Sequence, residues 1–244
     1  MISKTFIVSG NTSNIRHSFN HSLYLDNGDQ KEYGLALVSL EMFCSIPNIT
    51  KKNNKFKYST DSGKTWKSIT IQKGFYTLEL LYNEIVSEMA MSTVPFKFIH
   101  NNAKVSVSVA IKNPNFQINF KDKDTFGEVL GFDYILNQGD GFYHNPLPIK
   151  LFPLDQIFIK TNITDQTYYN SELKPIVYSF FPNCMPGDKL IEKPNNLIYH
   201  KVIKRNLHEI HVEIVDENDN YIDLNGETVY ITFHITNFLE RRIH

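Results

Sequence analysis

The amino-acid sequence predicts an all-β protein, a β-sandwich with one or two short inserted helices, and three observations carry that reading. Apolar and polar residues alternate with a period of two in segment after segment, turn residues separate those segments, and helical spacing recurs in only two places. The clearest stretch is residues 197–235. In 209–215, Ile210, Val212 and Ile214 share one parity against Glu209, His211 and Glu213. In 229–235, Val229, Ile231, Phe233 and Ile235 alternate with Tyr230, Thr232 and His234. Asp216-Glu217-Asn218-Asp219-Asn220 and Asn225-Gly226 supply turns between them.

The other elements follow in chain order. Phe19, His21, Leu23 and Leu25 alternate with Asn20, Ser22 and Tyr24, and Asp26-Asn27-Gly28-Asp29 reads as a turn. Residues 33–42 are apolar on both parities, the pattern of a central strand covered on both faces. Residues 55–59 and 66–71 flank Asp61-Ser62-Gly63 and read as a hairpin. Leu78, Leu81, Tyr82, Ile85, Val86 and Met89 recur at helical spacing behind Thr77, placed as an N-cap. Val105, Val107, Val109 and Ile111 form an alternating run, as do Phe116, Ile118 and Phe120. Thr125-Phe126-Gly127-Glu128 has capping-box spacing, with Gly131 where a short helix would stop. Residues 137–148, rich in Gly, Asn and Pro, read as a long exposed loop, and 156–160 and 177–181 as further strands. Without a linker or repeat, the reading is one domain over 1–244, with 1–32 an N-terminal arm plus the first strands. Sheet edges in such a sandwich are protected by jelly-roll or Greek-key winding.

The chain has 244 residues, enough to bury a core without a metal or disulfide staple. Lys plus Arg is 25 and Asp plus Glu is 26, so no global charge favours nucleic acid or an anionic membrane. No run of apolar residues is long enough to span a membrane. Met1-Ile2-Ser3-Lys4-Thr5 lacks a signal-peptide pattern, so synthesis in the cytosol is expected. Cys44 and Cys184 are then expected to be reduced, unpaired and buried as small hydrophobes. Four glycosylation sequons, at Asn11, Asn20, Asn48 and Asn162, read as coincidence in that setting.

Each motif has a structural reading that outweighs a chemical one. Ser59-Thr60-Asp61-Ser62-Gly63-Lys64-Thr65-Trp66 matches the Asp-box pattern of sialidase-like propellers. A propeller needs several copies, so one copy reads as a hairpin in which Asp61 accepts turn amides and Trp66 covers the turn. Ser62-Gly63-Lys64-Thr65 carries the tail of a P-loop, but Tyr58 occupies the required glycine position. Asp216-Glu217-Asn218-Asp219-Asn220 resembles a calcium loop only superficially, because Tyr221 stands at the glycine position. His208 and His211 lie three apart on a strand and point to opposite faces, and His234 and His244 offer no ligand spacing. There is no nucleophile elbow, and Cys44 before Ser45-Ile46-Pro47 has no electropositive context. Glu240-Arg241-Arg242 and Lys51-Lys52 read as solvated charge clusters. The sequence points to no catalytic, cofactor-binding or metal-ligating residue, and the expectation is a protein that is not an enzyme and carries no cofactor.

An ordered set of short segments goes further. It comprises Tyr33-Gly34-Leu35-Ala36-Leu37-Val38-Ser39-Leu40-Glu41, then Ser45-Ile46-Pro47-Asn48-Ile49, Asn53-Asn54-Lys55-Phe56 and Gly74-Phe75-Tyr76-Thr77. It continues with Gly127-Glu128-Val129-Leu130-Gly131-Phe132, Phe180-Phe181-Pro182, Pro186-Gly187-Asp188-Lys189 and Asp223-Leu224-Asn225-Gly226-Glu227. In this order the chain resembles the minor capsid (penton) proteins of Polinton (Maverick) elements and their relatives, the adintoviruses and virophages. The resemblance implies a single jelly roll that assembles as a homopentamer at the vertices of an icosahedral virion. It implies contact with a double jelly-roll major capsid protein, no direct nucleic-acid binding, and synthesis in the host cytoplasm. An aromatic content of 13% fits interface anchoring. Two other readings stand beside it, a carbohydrate- or receptor-binding jelly roll and, on the strength of the Asp box, a glycosidase.

Overall fold

The computed structural model describes residues 3–25, 32–91, 93–101, 106–137, 141–152 and 154–238. The expected turn Asp26-Asn27-Gly28-Asp29, Val105, part of the 137–148 loop, the Glu240-Arg241-Arg242 cluster and His244 lie outside them. Contacts divide the chain into two compact units, Met1–Ser45 with Leu154–His244, and Ile46–Pro153. The second unit is thus an insertion in the sequence of the first, entered at Ile46 with no linker of its own.

The first unit opens with β1 (Ser3–Gly10), β2 (Asn14–Tyr24) and β3 (Glu32–Phe43). The inserted unit holds β4 (Lys55–Ser59), β5 (Lys67–Thr70), α1 (Leu78–Met89), β6 (Phe96–Asn101), β7 (Ser106–Ile111), β8 (Gln117–Asn119), α2 (Gly127–Leu130), β9 (Ile135–Leu136) and β10 (Gly141–His144). The chain returns with β11 (Ile157–Thr161), β12 (Thr167–Tyr169), β13 (Glu172–Lys174), β14 (Ile176–Phe180), β15 (Lys189–Glu192), β16 (His200–Lys201), β17 (Asn206–Val215) and β18 (Val229–Phe238).

Eight strands of the first unit, with the short β16 added beside β3, form two antiparallel sheets, the eight ordered β1-β18-β3-β15 and β14-β11-β17-β2. Taken first to eighth along the chain, they run first–eighth–third–sixth in one sheet and second–seventh–fourth–fifth in the other. That order is the winding of a jelly roll, two Greek keys folded into a sandwich. In β17 and β18 the inner faces are the parities read from the sequence. Val8, Leu35, Leu40, Ile231, Phe233 and Ile235 are buried in one sheet, and Ile157, Ile159, Ile210, Val212 and Ile214 in the other. Phe6 of β1 meets Phe233 of its own sheet at 5.7 Å and Phe19 of the opposite sheet at 5.4 Å. Each large apolar side chain so buried contributes about 1.5–3 kcal/mol. Strand β3 is central, as expected, paired to β18 on one side and to β15 and β16 on the other.

Strand β11 is buried along its whole length because its outer face is covered as well. The β12–β13 hairpin lays Tyr169 over Phe158, Ile176 and Val215, a small second core outside the sheet.

In the inserted unit, β5-β4-β8-β9 and β10-β7-β6 form two small sheets around an aromatic core. Phe56 stacks on Phe126 at 5.7 Å and meets Phe96 of the other sheet at 5.4 Å, and Phe96 stacks on Phe116 at 5.7 Å. Helix α1 spans the expected residues. Thr77 caps it by accepting from the Leu80 amide, and Leu81, Ile85 and Met89 are buried. Asn48 is buried too; its amide donates to the carbonyls of Tyr76 and Leu151, and its oxygen accepts from the Tyr76 amide.

Four expectations need correction. Residues 141–144, expected within a long exposed loop, form β10, which pairs with β7 and buries Tyr143. Cys44 and Cys184 are joined in a disulfide, because β3 and β15 are antiparallel neighbours whose continuation brings the two Cα atoms to 6.1 Å. Thr125 does not cap α2, since its hydroxyl donates to the Asp122 carbonyl, although Gly131 ends the helix at φ 78° as expected. Much of the aromatic content is core material: Phe56, Phe96, Phe98, Phe116, Phe120, Phe126 and Phe132 are all buried in the inserted unit. Bulk aromatic content therefore does not argue for an interface, and only the exposed aromatic side chains can.

Candidate interaction surface

The outward face of the β1-β18-β3-β15 sheet carries exposed apolar residues in a defined order. Antiparallel partners point to the same side of a sheet. Tyr230 lies opposite Ser9 on β1 and Glu41 on β3, and Glu41 lies opposite Ile191 on β15. One row therefore crosses β1, β18, β3 and β15 as Ser9, Tyr230, Glu41 and Ile191. Phe43 and Lys189 form the adjacent pair on one side, and Ile7 and Thr232 the adjacent pair on the other. Ile7 is 59% exposed, Ile191 55%, Tyr230 52% and Phe43 42%. Between Phe43, Ile191 and Tyr230 runs a shallow groove of about 290 Å³, with Glu41, Lys189 and Thr228 as its polar lining.

The register explains why these positions escape the core. Val229, Ile231 and Leu40 occupy the inner parity, so Tyr230 and Glu41 must point outward. The irregularity between Thr232 and Phe233 shifts the register against β3, and beyond it His234 is held by Tyr199 Oη at 2.7 Å and Ser3 Oγ at 2.8 Å.

The other sheet presents a different outer face. His211 Nε2 bonds Asn14 Oδ1, Asn14 bonds Tyr221 Oη, and Tyr221 donates to Glu213, so the polar side chains satisfy one another. Lys160, largely buried, is paired with Asp219, which also holds Lys174 at 2.8 Å. Lys160 acts first and Lys174 second to hold the Asp219 carboxyl below the usual carboxylate range. The apolar part of this face lies under its own hairpin. A second depression, of about 570 Å³, lies beside that hairpin, with Leu173, Pro175 and Ile203 among its lining.

The motifs singled out in the sequence are structural. Asp61 Oδ1 accepts from the Ser59 hydroxyl and the Thr65 amide, and Oδ2 from the Thr65 hydroxyl at 2.6 Å. These bonds, the Thr65 hydroxyl first, depress the carboxyl to about 2. Trp66 is 40% exposed and covers the hairpin only in part. In the 216–220 segment, Asp216 Oδ1 accepts from the amides of Asn218 and Asn220, a turn that uses its own carboxylate. Asp219 sits there at φ 64°. His208 bonds Ser22 and His211 bonds Asn14, so the two histidines serve separate contacts. His200 is pushed below its ordinary value by burial. Lys51 and Lys52 are exposed in a turn. Among the described residues, no three His, Cys, Asp or Glu side chains converge as a metal site.

The chain is similar in structure to the mavirus penton protein, with a TM-score of 0.49 and 10% identity over 97% of this chain and 100% of that one. No protein-family model matches the chain, and no curated protein matches it.

Proposed function

We propose that this protein is a structural capsid subunit of the penton type, 1–244 forming one subunit, with five copies meeting around a vertex of an icosahedral shell. The observation that carries the reading is the uncovered group of apolar side chains on and beside the row of Tyr230, Glu41 and Ile191, on the outward face of a jelly-roll sheet. Tyr230, Ile191, Phe43 and Ile7 stand exposed there, while the apolar patch on the opposite sheet lies under the β12–β13 hairpin. Exposed aromatic and aliphatic side chains gathered around a few polar groups are the composition of a protein–protein interface core. In a closed ring each contact is heterologous, so this row meets a different surface of the neighbouring copy or of a double jelly-roll major capsid protein. The role is structural rather than catalytic, its place is the virion, and its origin lies in a Polinton-like element or a related virus.

A carbohydrate-binding jelly roll is the runner-up. Tyr230 beside Glu41 and Thr228 favours it, as an aromatic face next to hydrogen-bonding groups. The Asp box gives a glycosidase no support, because both Asp61 oxygens are committed to the turn.

Co-expression with the matching major capsid protein tests the proposal. Particles imaged with the wild-type chain should have occupied vertices, and Ile191→Asp with Tyr230→Ser should leave them empty while the free subunit melts normally. Vertices filled without this chain would overturn it. Binding on a glycan array that Tyr230→Ser abolishes would replace it with the runner-up.

A further inference from the structure

Cys44 follows the last residue of β3 and is 4% exposed, while Cys184 is half-buried in the segment leading to β15, between Phe181 at 68% and Met185 at 51% exposure. The ladder that brings them together carries its own backbone hydrogen bonds beside the crosslink. Lys189 to Glu192 pair with Phe43 to Leu40, the Cys44 amide donates to the Asp188 carbonyl at 2.8 Å, and the Gly187 amide donates to the Cys44 carbonyl at 3.0 Å. The turn from Met185 to Asp188 closes on itself, with the Asp188 amide donating to the Met185 carbonyl and Gly187 at φ 83°. The cysteines are 140 residues apart in sequence, so the unfolded chain brings them together rarely, whereas the folded ladder holds them side by side.

We propose that Cys44 and Cys184 form a two-step thiol–disulfide exchange site that closes on the folded jelly roll, with Cys184 the entry thiol and Cys44 the resolving thiol. The co-reactant is a low-molecular-weight disulfide. The Cys184 thiolate attacks one sulfur of it, forming a mixed disulfide and releasing one small thiolate. The Cys44 thiolate then attacks the Cys184 sulfur, forms the protein disulfide and expels the second small thiolate. Two electrons pass from the cysteines to the small disulfide, and the two cysteine protons end on the released thiols. The order follows from access, since exchange requires an in-line approach to the sulfur and Cys184 is the half-buried residue of the pair while Cys44 is buried. The neighbouring Phe43 and Lys189 line the apolar groove, so oxidation of the pair fastens one end of that surface. The inference does not rest on the capsid reading.

Intact-mass spectrometry of the full chain, reduced, freed of reductant and treated with oxidised glutathione, tests it. Wild type should lose two hydrogens and keep no adduct. Cys44→Ala should stop at one glutathione on Cys184, and native Cys184→Ala should react at least about tenfold more slowly than Cys44→Ala. In wild type quenched early with acid, peptide mapping should place the mixed disulfide on Cys184, a readout independent of how either variant folds. Adducts first on Cys44, or comparable rates in the two native variants, would overturn the assignment.

Discussion

Tyr178 of β14 donates its hydroxyl to Glu192 Oε1 of β15 at 2.7 Å and so joins the two sheets of the jelly roll through side chains. Burial first, and the Glu192 carboxylate second, push the phenol up to about 12. An unfolded tyrosine titrates near 10. A raised value means that the contribution of Tyr178 to stability is complete below pH ~10 and is lost as pH rises towards 12. Urea unfolding at pH 9 should show Tyr178→Phe less stable than wild type by about 1 kcal/mol, and the gap should close as pH approaches 12. A gap independent of pH would count against this account.

Asp61 gives the opposite sign. Its carboxyl is held at about 2 by the Thr65 and Ser59 bonds, whereas an unfolded aspartate titrates near ~3.9. Its contribution is present above pH ~4 and is lost as pH falls towards 2. Asp61→Asn should lower the melting temperature at neutral pH and flatten its acid dependence between pH 4 and 2. An unchanged acid limb would show that the hairpin does not need the charge.

Asp219→Asn keeps a side chain that tolerates φ 64° but removes the charge shared by Lys160 and Lys174. Lys160 is then left largely buried without its partner. Because Asp219 itself is about half exposed, the cost is set at about 1–2 kcal/mol rather than that of a fully buried pair. Denaturant midpoints should move by that amount at pH 7, begin to converge with wild type as pH falls below ~4, and meet only below the depressed native value, where the folded carboxyl is protonated as well.

Gly131→Ala should be among the most damaging small substitutions. Gly131 ends α2 at φ 78°, and an added Cβ would collide with the Leu147 carbonyl oxygen and approach the Asn145 side chain. Strain and collision together should cost about 2–4 kcal/mol, read as a fall in melting temperature. Melting like wild type would mean that the 145–147 segment can move aside.

The sequence by itself determined what depends on neighbours along the chain. The buried parity of β17 and β18, the span and Thr77 cap of α1, the hairpin around Asp61 and the turn of 216–220 all rest on local dihedral preferences and side-chain period. Residues 3–24 escaped that logic. Strand β1 places only Val8 fully inside, and β2 loses its alternation where the register slips against β17, so the sequence showed a strand only over 19–25 and left the rest of 1–32 as an arm plus the first strands. Tertiary structure alone decided which strands are neighbours, because a period of two says which side chains face the core but not which strand lies alongside. Hence the pairing of β3 with β15 and β18, the Cys44–Cys184 crosslink and the alignment of Tyr230, Glu41 and Ile191 into one row were not legible. The separate core of Ile46–Pro153 was hidden for the same reason, since its strands carry the same alternation as those of the jelly roll and only long-range packing sorts them into two units.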